Sequence, residues 1–159
     1  MENEIQNLQN QIDLLKANNW NSTLLDVKDG FFLTVNLTGT AGATAGNYGT
    51  FYTARHPVEV LWVAESHTVA GTNAGAVTLD IEKLTGTQAL DAGVSILSAT
   101  FNLKGTANTV VQKEGYSLSV NRQLKQGERL ALKDTGTLTD VAGVQVTLYL
   151  KFLARGNYK

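Results

Sequence analysis

The sequence predicts a mainly β protein, with an antiparallel, jelly-roll-like β-sandwich as its head and a short N-terminal coiled-coil helix. Between residues 31 and 155, short stretches with a two-residue apolar period alternate with Gly-, Thr- and Asn-rich turns. Turns every ten or so residues are typical of sandwiches. Residues 1–20 have the helical period instead. The predicted organisation is therefore a stem at 1–20, a connector at 21–30 and a head at 31–159.

The predicted stem carries a coiled-coil seam. Four apolar residues step by three, four and three positions, as a and d residues of a heptad do: Ile5, Leu8, Ile12 and Leu15. Two heptads are too short to persist alone in water, which favours a bundle formed between chains. Ile at a with Leu at d nominally favours two strands. The alternative is a single amphipathic helix packed on its own head.

The first part of the head is predicted as strand, loop and strand. Residues 31–38 alternate as a strand, and 39–49 form a loop with four glycines. Asn47 and Tyr48 in this loop are candidate surface-binding residues. A short strand at 50–55 ends before Pro57, because proline lacks the N–H that a ladder needs.

The stretch 58–67 is predicted as a strand that is apolar on both faces. One face carries Val58, Val60, Trp62 and Ala64, and the other carries Leu61 and Val63 between charged ends. Such a strand is central in a sandwich or covered by another subunit. We therefore take Leu61 and Val63, with Leu153 on the last strand, as candidate contacts between subunits of an oligomer.

The remaining elements differ in clarity. Residues 77–82 alternate as a half-buried strand, and 94–103 fit a strand or a short helix. Short strands are predicted at 109–112, 116–120 and 128–133. The last strand, 144–153, is the clearest, since five apolar residues alternate along it: Val144, Val146, Leu148, Leu150 and Phe152.

Composition argues against several function classes. The chain has 13 basic and 14 acidic residues without a block of either sign, whereas nucleic acids and acidic membranes attract a concentrated basic field. No cysteine is present, which excludes disulfides and thiolate chemistry. The acidic N-terminus does not resemble a signal peptide, so synthesis in the cytoplasm is expected. A charged fraction of 17% is low, as expected where sister subunits cover part of the surface.

No catalytic or metal-binding motif stands out, and we expect no enzyme activity and no cofactor. The sequence Asp134-Thr135-Gly136 has the residues of an aspartic protease dyad, but a β-turn is the ordinary use of Asp and Gly in this order. His56 and His67 have no partners at a recognised metal spacing, and polar strand-end positions are the simpler interpretation. Several aromatic residues could form a sugar-stacking platform if exposed, although aromatic residues on strands usually belong to the core: Trp20, Tyr48, Phe51, Tyr52 and Trp62.

Three stretches of the head resemble β-domains of tailed-bacteriophage virion proteins: VTLDIEKL at 77–84, GTQALDAG at 86–93 and GERLALKDTGTL at 127–138. The resemblance extends over about residues 58–153. It implies a homotrimer with a jelly-roll-like head on a helical stem, acting as capsid decoration, head fibre or fibre tip. It carries over no functional residues.

The sequence thus predicts a non-enzymatic virion protein, a trimeric spike, fibre or decoration protein at the virion surface. Its expected partners are further copies of itself and, through the stem, phage capsid or tail proteins, with neither nucleic acid binding nor membrane insertion. The alternative is a receptor- or glycan-binding tip module that attaches the particle to a bacterial host. In either case the loops at 39–49 and 85–93 are expected to be exposed to that host surface.

Overall fold

The computed structural model describes residues 30–37 and 49–153. The chain divides into two units, Met1–Phe31 and Phe32–Lys159. Of the first unit only Gly30 and Phe31 are described, so the account below concerns the second. Several predicted residues lie outside the described ranges, namely the stem residues Ile5, Leu8, Ile12 and Leu15 and the loop residues Asn47 and Tyr48.

The described residues form ten β-strands and two 3-10 turns, without an α-helix. The strands are β1 Gly30–Asn36, β2 Gly49–Thr53, β3 Val58–Ser66, β4 Thr78–Leu84, β5 Val94–Ser95, β6 Phe101–Asn102, β7 Val111–Glu114, β8 Gln123–Leu124, β9 Arg129–Thr135 and β10 Gln145–Phe152. The 3-10 turns are Gly115–Ser117 and Val120–Arg122. None of the helical segments in these ranges is long and apolar enough to cross a membrane.

The strands form two antiparallel sheets. The first sheet has the order β1-β10-β3-β7, with β8 also pairing β3, and the second has the order β2-β9-β4-β5, with β6 also pairing β4. The long strands β1 to β4 alternate between the sheets along the chain, and the last two, β9 and β10, return beside β2 and β1. This is the strand order of a jelly roll. The predicted mainly β fold with antiparallel sheets is confirmed.

The core lies between the inward faces of the two sheets. Along β10, Val146, Leu148 and Leu150 are fully buried, while the residues between them are at least partly exposed. Leu79 and Ile81 on β4 are also fully buried. Each such side chain contributes about 1.5–3 kcal/mol by leaving water. The two-residue period of the sequence therefore identified the buried face of these strands.

A β-bulge in β3 changes which residues of this strand face the core. The neighbouring residues Tyr149 and Leu150 of β10 pair with Trp62 and Val60, so the register leaves Leu61 without a partner on that side. An extra residue in one strand reverses the alternation beyond it.

The bulge corrects the predicted faces of β3. Val58 and Val60 are buried before it, and Val63 and Glu65 are buried after it. Trp62, which the simple alternation placed with Val58 and Val60, lies on the outer face. A strict two-residue period could not anticipate this change, since nothing in the composition of β3 marks the extra residue.

Three further segments differ from the sequence prediction. Residues 94–103 contain two short strands, β5 and β6, rather than one element. Residues 116–120 are not a regular strand, because Gly115 has φ +55° and the chain turns there; Leu118 alone makes an antiparallel bridge, to Leu97. β7 begins at Val111, two residues later than predicted, after a turn at Asn108 with φ 58°.

Candidate interaction surface

An aromatic cluster lies on the outer face of the first sheet. It comprises Phe32 on β1, Trp62 on β3 and Tyr149 on β10, and β10 lies between the other two strands. The ring centroids of Phe32 and Tyr149 are 4.9 Å apart with an interplanar angle of 39°. Those of Phe32 and Trp62 are 6.3 Å apart at 83°, an edge-to-face arrangement. We call these three residues the aromatic cluster.

The aromatic cluster is accessible in the monomer. Phe32 is 65% exposed, and Trp62 and Tyr149 are partly buried. Trp62 and Tyr149 are direct partners in the β3–β10 register, and the bulge next to them is what turns Trp62 outward. A single exposed apolar side chain is ordinary, but three aromatic rings together on one face form an apolar patch, and such patches mark candidate interaction sites.

Neutral polar side chains adjoin the aromatic cluster toward the C-terminal end of β3. The Trp62 Nε1–H donates to Oε1 of Gln112 on β7, at 3.5 Å. Further along the same face, the Gln145 Nε2–H donates to Oδ1 of Asn36, at 3.0 Å. Each side-chain amide has two N–H donors and an oxygen with two acceptor lone pairs, so each keeps unused donors and acceptors after these bonds are made.

A shallow pocket of about 210 Å³ opens beside Trp62. Val110, Gln145 and Thr147 form part of its wall. The hydroxyl of Thr147 also lies 3.0 Å from that of Thr34, which continues the neutral polar border across β10 to β1. The outer face of the first sheet thus combines ring faces, amides and hydroxyls in one place.

A buried carboxylate–imidazole pair lies at the end of β3. Glu65 and His67 are each 1% exposed, and His67 Nδ1 is 2.9 Å from Glu65 Oε1. His67 Nε2 is 3.2 Å from the carbonyl oxygen of Gly105, and it donates there because a carbonyl only accepts. His67 is therefore a buried, doubly bonded residue, which corrects its interpretation as a plain polar residue at a strand end.

Burial raises the pKa of Glu65, because the charged form loses water. The hydrogen bond and the positive charge of His67 act in the opposite direction. Glu65 Oε2 is buried without a hydrogen-bond partner among the described residues. An ionised Glu65 is therefore only half satisfied, and the pair is a buried polar element in an otherwise apolar part of the sandwich.

A second buried carboxylate fixes the loop at 85–93. Glu82 on β4 is 1% exposed and accepts hydrogen bonds from the backbone N–H groups of Asp91 at 2.7 Å and Gly93 at 2.9 Å. Arg129 adds hydrogen bonds from its guanidinium to the carbonyl oxygens of Gly86 and Gln88. The loop is exposed, as expected, but the underlying strands hold its backbone in one conformation.

Asp134-Thr135-Gly136 lies at the end of β9 and in the turn that follows. Gly136 has φ +91°, and a Cβ on it would lie 2.0 Å from the carbonyl oxygen of Ala76. Glycine is therefore required at this bend. Asp134 and Thr135 are still paired with Leu79 and Thr78 in the sheet, so the predicted β-turn beginning at Asp134 is wrong. No three His, Asp or Glu side chains are grouped to hold a metal ion within residues 30–37 and 49–153.

The predicted subunit contacts in the head have different surroundings. Val63 is fully buried in its own chain, so its side chain offers no area to a neighbour. Leu61 and Leu153 are partly buried and keep some accessible surface. Their contact with another subunit stays a prediction.

The sequence-predicted aromatic platform is only partly brought together. Trp62 belongs to the aromatic cluster, whereas Phe51 and Tyr52 are partly buried on β2 of the other sheet. Phe32 and Tyr149 were missed as site residues. The one available signal was their position on the outward-facing side of alternating strands, and it could not reveal that these strands are neighbours.

Comparison with known proteins finds a similarity of fold. No family model matches the sequence, and no curated protein matches it. Among solved structures, the chain is similar to one from the structure described as the capsid of Ralstonia phage GP4. The two chains share 17% sequence identity with a TM-score of 0.54, over 79% of this chain and 84% of that one. The two chains therefore share a fold, and the shared fold includes most of each chain.

Proposed function

We propose that this protein is a non-enzymatic structural component of a bacteriophage virion. The observation that carries the proposal is the fold shared with a chain of a phage capsid structure, over most of both chains. The resemblance of residues 77–84, 86–93 and 127–138 to phage virion β-domains supports it independently of that comparison. The protein would act through symmetric burial of apolar surface, without making or breaking bonds.

The finer proposal is a homotrimeric spike, fibre or decoration protein at the virion surface. The heptad residues of the stem would set the register between chains or dock onto capsid or tail proteins. In the head, Leu61 and Leu153 are the proposed contacts, and Val63 supports the fold instead. Nearly complete exposure of Tyr116 and Val120, at 96% and 92%, is consistent with further contacts on the particle, because large exposed apolar side chains are typical of interfaces.

Light scattering of the full chain tests the assembly. A trimer has a mass of three times 17.1 kDa, independent of concentration. The double variant Leu8→Asp/Ile12→Asp should lose the trimer while the β-sheet circular dichroism signal of the head stays. The matched control Gln6→Asp/Asn10→Asp adds the same charge off the seam and should keep the trimer. A monomeric wild-type protein would refute the trimer.

Attachment to the particle needs a separate experiment. Purified virions would be labelled with antibody against the head and imaged by electron microscopy. Labelling at regular positions on capsid or tail, lost in particles that carry the Leu8→Asp/Ile12→Asp variant, is the expected result. Absence of the protein from purified virions would refute the structural role, whatever the oligomeric state.

Host attachment is the second candidate function. The aromatic cluster with its neutral polar border is the observation that favours it, since such a surface is suited to a ligand rather than to solvent. A role in attachment is compatible with a virion location, because a protein can decorate the particle and contact the host.

A further inference from the structure

We propose that the outer face of the first sheet binds a neutral glycan at the aromatic cluster. Phe32 and Trp62 stand nearly perpendicular, at 83°, and so form a corner rather than a flat platform. A sugar ring can lie with its C–H face against one ring and its edge against the other. The centroid distances of 4.9 and 6.3 Å show that the three rings pack against one another, so a sugar would lie on their exposed outer surface.

The polar border matches the chemistry of sugar hydroxyls. Gln112, Gln145, Asn36 and the two threonine hydroxyls offer both donors and acceptors on the same face, within the first sheet. Hydroxyl groups of a sugar need both kinds of partner. A purely apolar peptide would bury the remaining donors and acceptors of these amides without partners, at a cost of about 1–3 kcal/mol each.

The charges near the aromatic cluster favour a neutral ligand over an acidic one. Glu114 on β7 is the register partner of Trp62, and Lys151 on β10 follows Tyr149 by two residues on the same face. The register partner of Lys151 is Glu59, which forms an ion pair with Arg122. Two charges of each sign leave no net basic field, which an acidic polysaccharide would require. Neutral hexoses and N-acetylhexosamines therefore fit this surface best.

The aromatic cluster by itself is too small to form an interface with a second copy of the chain. A specific protein interface buries about 1,200–2,000 Å² in total. A free aromatic side chain has roughly 150–250 Å² of surface. Because two of the three rings are partly buried, the cluster offers only about 300 Å² of accessible ring surface. That area suits one or two sugar residues, and the inference does not depend on the trimer.

The test uses an array of neutral and acidic bacterial-surface oligosaccharides, probed with the full-length protein. Neutral glycans should give binding signals at least as strong as those of acidic glycans. A neutral glycan that binds is then titrated against Trp20→Phe, in which Trp62 is the single remaining tryptophan. Its fluorescence should change with a dissociation constant between about 10 µM and 10 mM. No neutral signal, or a preference for acidic glycans, would overturn the proposal.

Variants then locate the site. Phe32→Ala, at a position 65% exposed, should keep the fold and weaken binding by at least about fivefold. Phe152→Ala removes another exposed aromatic ring, 44% exposed, from the C-terminal end of β10 outside the aromatic cluster and should change binding by less than about twofold. Equal binding by Phe32→Ala and wild type would overturn the assignment.

The same variants separate this inference from the structural role. Light scattering of Phe32→Ala and Trp62→Ala should give the wild-type mass, so that only glycan binding is lost. If instead both variants dissociate the oligomer and wild type binds no glycan, the aromatic cluster is a subunit contact and the glycan proposal fails.

Discussion

Replacing Val63 with arginine tests the bulge in β3 directly. Val63 is fully buried and its register partners are Leu148 on β10 and Lys113 on β7, with the core beneath it. A guanidinium here would be an unpaired buried charge, which costs about 3–5 kcal/mol or more. Since total stability is about 5–15 kcal/mol, we expect the melting temperature to fall by roughly 10 °C or more, or the domain to unfold.

Leu61→Arg is the matched control on the same strand. Leu61 is partly exposed at the bulge, so an arginine there can extend its charged group into water while its stem covers apolar surface. We expect a loss of about 1 kcal/mol or less in the head alone. Without the bulge, residues 61 and 63 would share one face, and the two arginine variants would behave alike.

Circular dichroism melts and light scattering of both variants provide the assay. The expected outcome is a strongly destabilised Val63→Arg protein and a folded Leu61→Arg protein. A Leu61→Arg protein that is folded but no longer trimeric would support Leu61 as a subunit contact. The reasoning is refuted if Val63→Arg melts at the wild-type temperature and is merely monomeric, because Val63 would then face a neighbour.

Three other perturbations probe the buried polar groups and the turns. Glu82→Ala removes the acceptor of two backbone N–H groups in the loop at 85–93; it should cost about 2 kcal/mol and speed amide hydrogen exchange there, with Glu82→Gln milder. Because burial raises the pKa of Glu65, ionising it costs more in the folded than in the unfolded protein. Its contribution to stability is therefore full below its ordinary pKa and falls as the pH rises through the raised value. Glu65→Gln should remove this fall, seen as a difference in unfolding free energy between variant and wild type that grows as the pH rises above the ordinary pKa of a glutamate; a constant difference would contradict the shift. Gly136→Ala should destabilise far more than Gly127→Ala, since both have positive φ but only the first Cβ meets another atom within 4 Å, and equal melting temperatures would contradict this.

Much of the head could be predicted from local pattern. The strand at the C-terminus and the half-buried strand β4 each follow from a two-residue period within a few residues. The segments that were predicted wrongly are short and lack a clear two-residue apolar period. Residues 116–120 have apolar residues in alternation, but the turn at Gly115 and the single anchoring residue Leu118 make them a loop.

The candidate site was harder to predict than the fold. Trp62 was identified only as one of several aromatic residues, and Phe32 and Tyr149 were not identified at all. They come together because β1, β10 and β3 are neighbours in the first sheet, and strands from opposite ends of the head become neighbours only in the tertiary fold. The pairing of His67 with Glu65 likewise required burial of both side chains, which their polarity alone does not suggest.

By itself, the sequence determined the β class of the head, the buried face of most long strands and the need for glycine in its turns. These properties depend on neighbouring residues and on backbone sterics. Only the tertiary structure decided which strands pair, where β3 takes in an extra residue and therefore which side of it Trp62 and Val63 face. A two-residue period defines two faces of a strand, but contacts between distant residues decide which of them is covered, and by what.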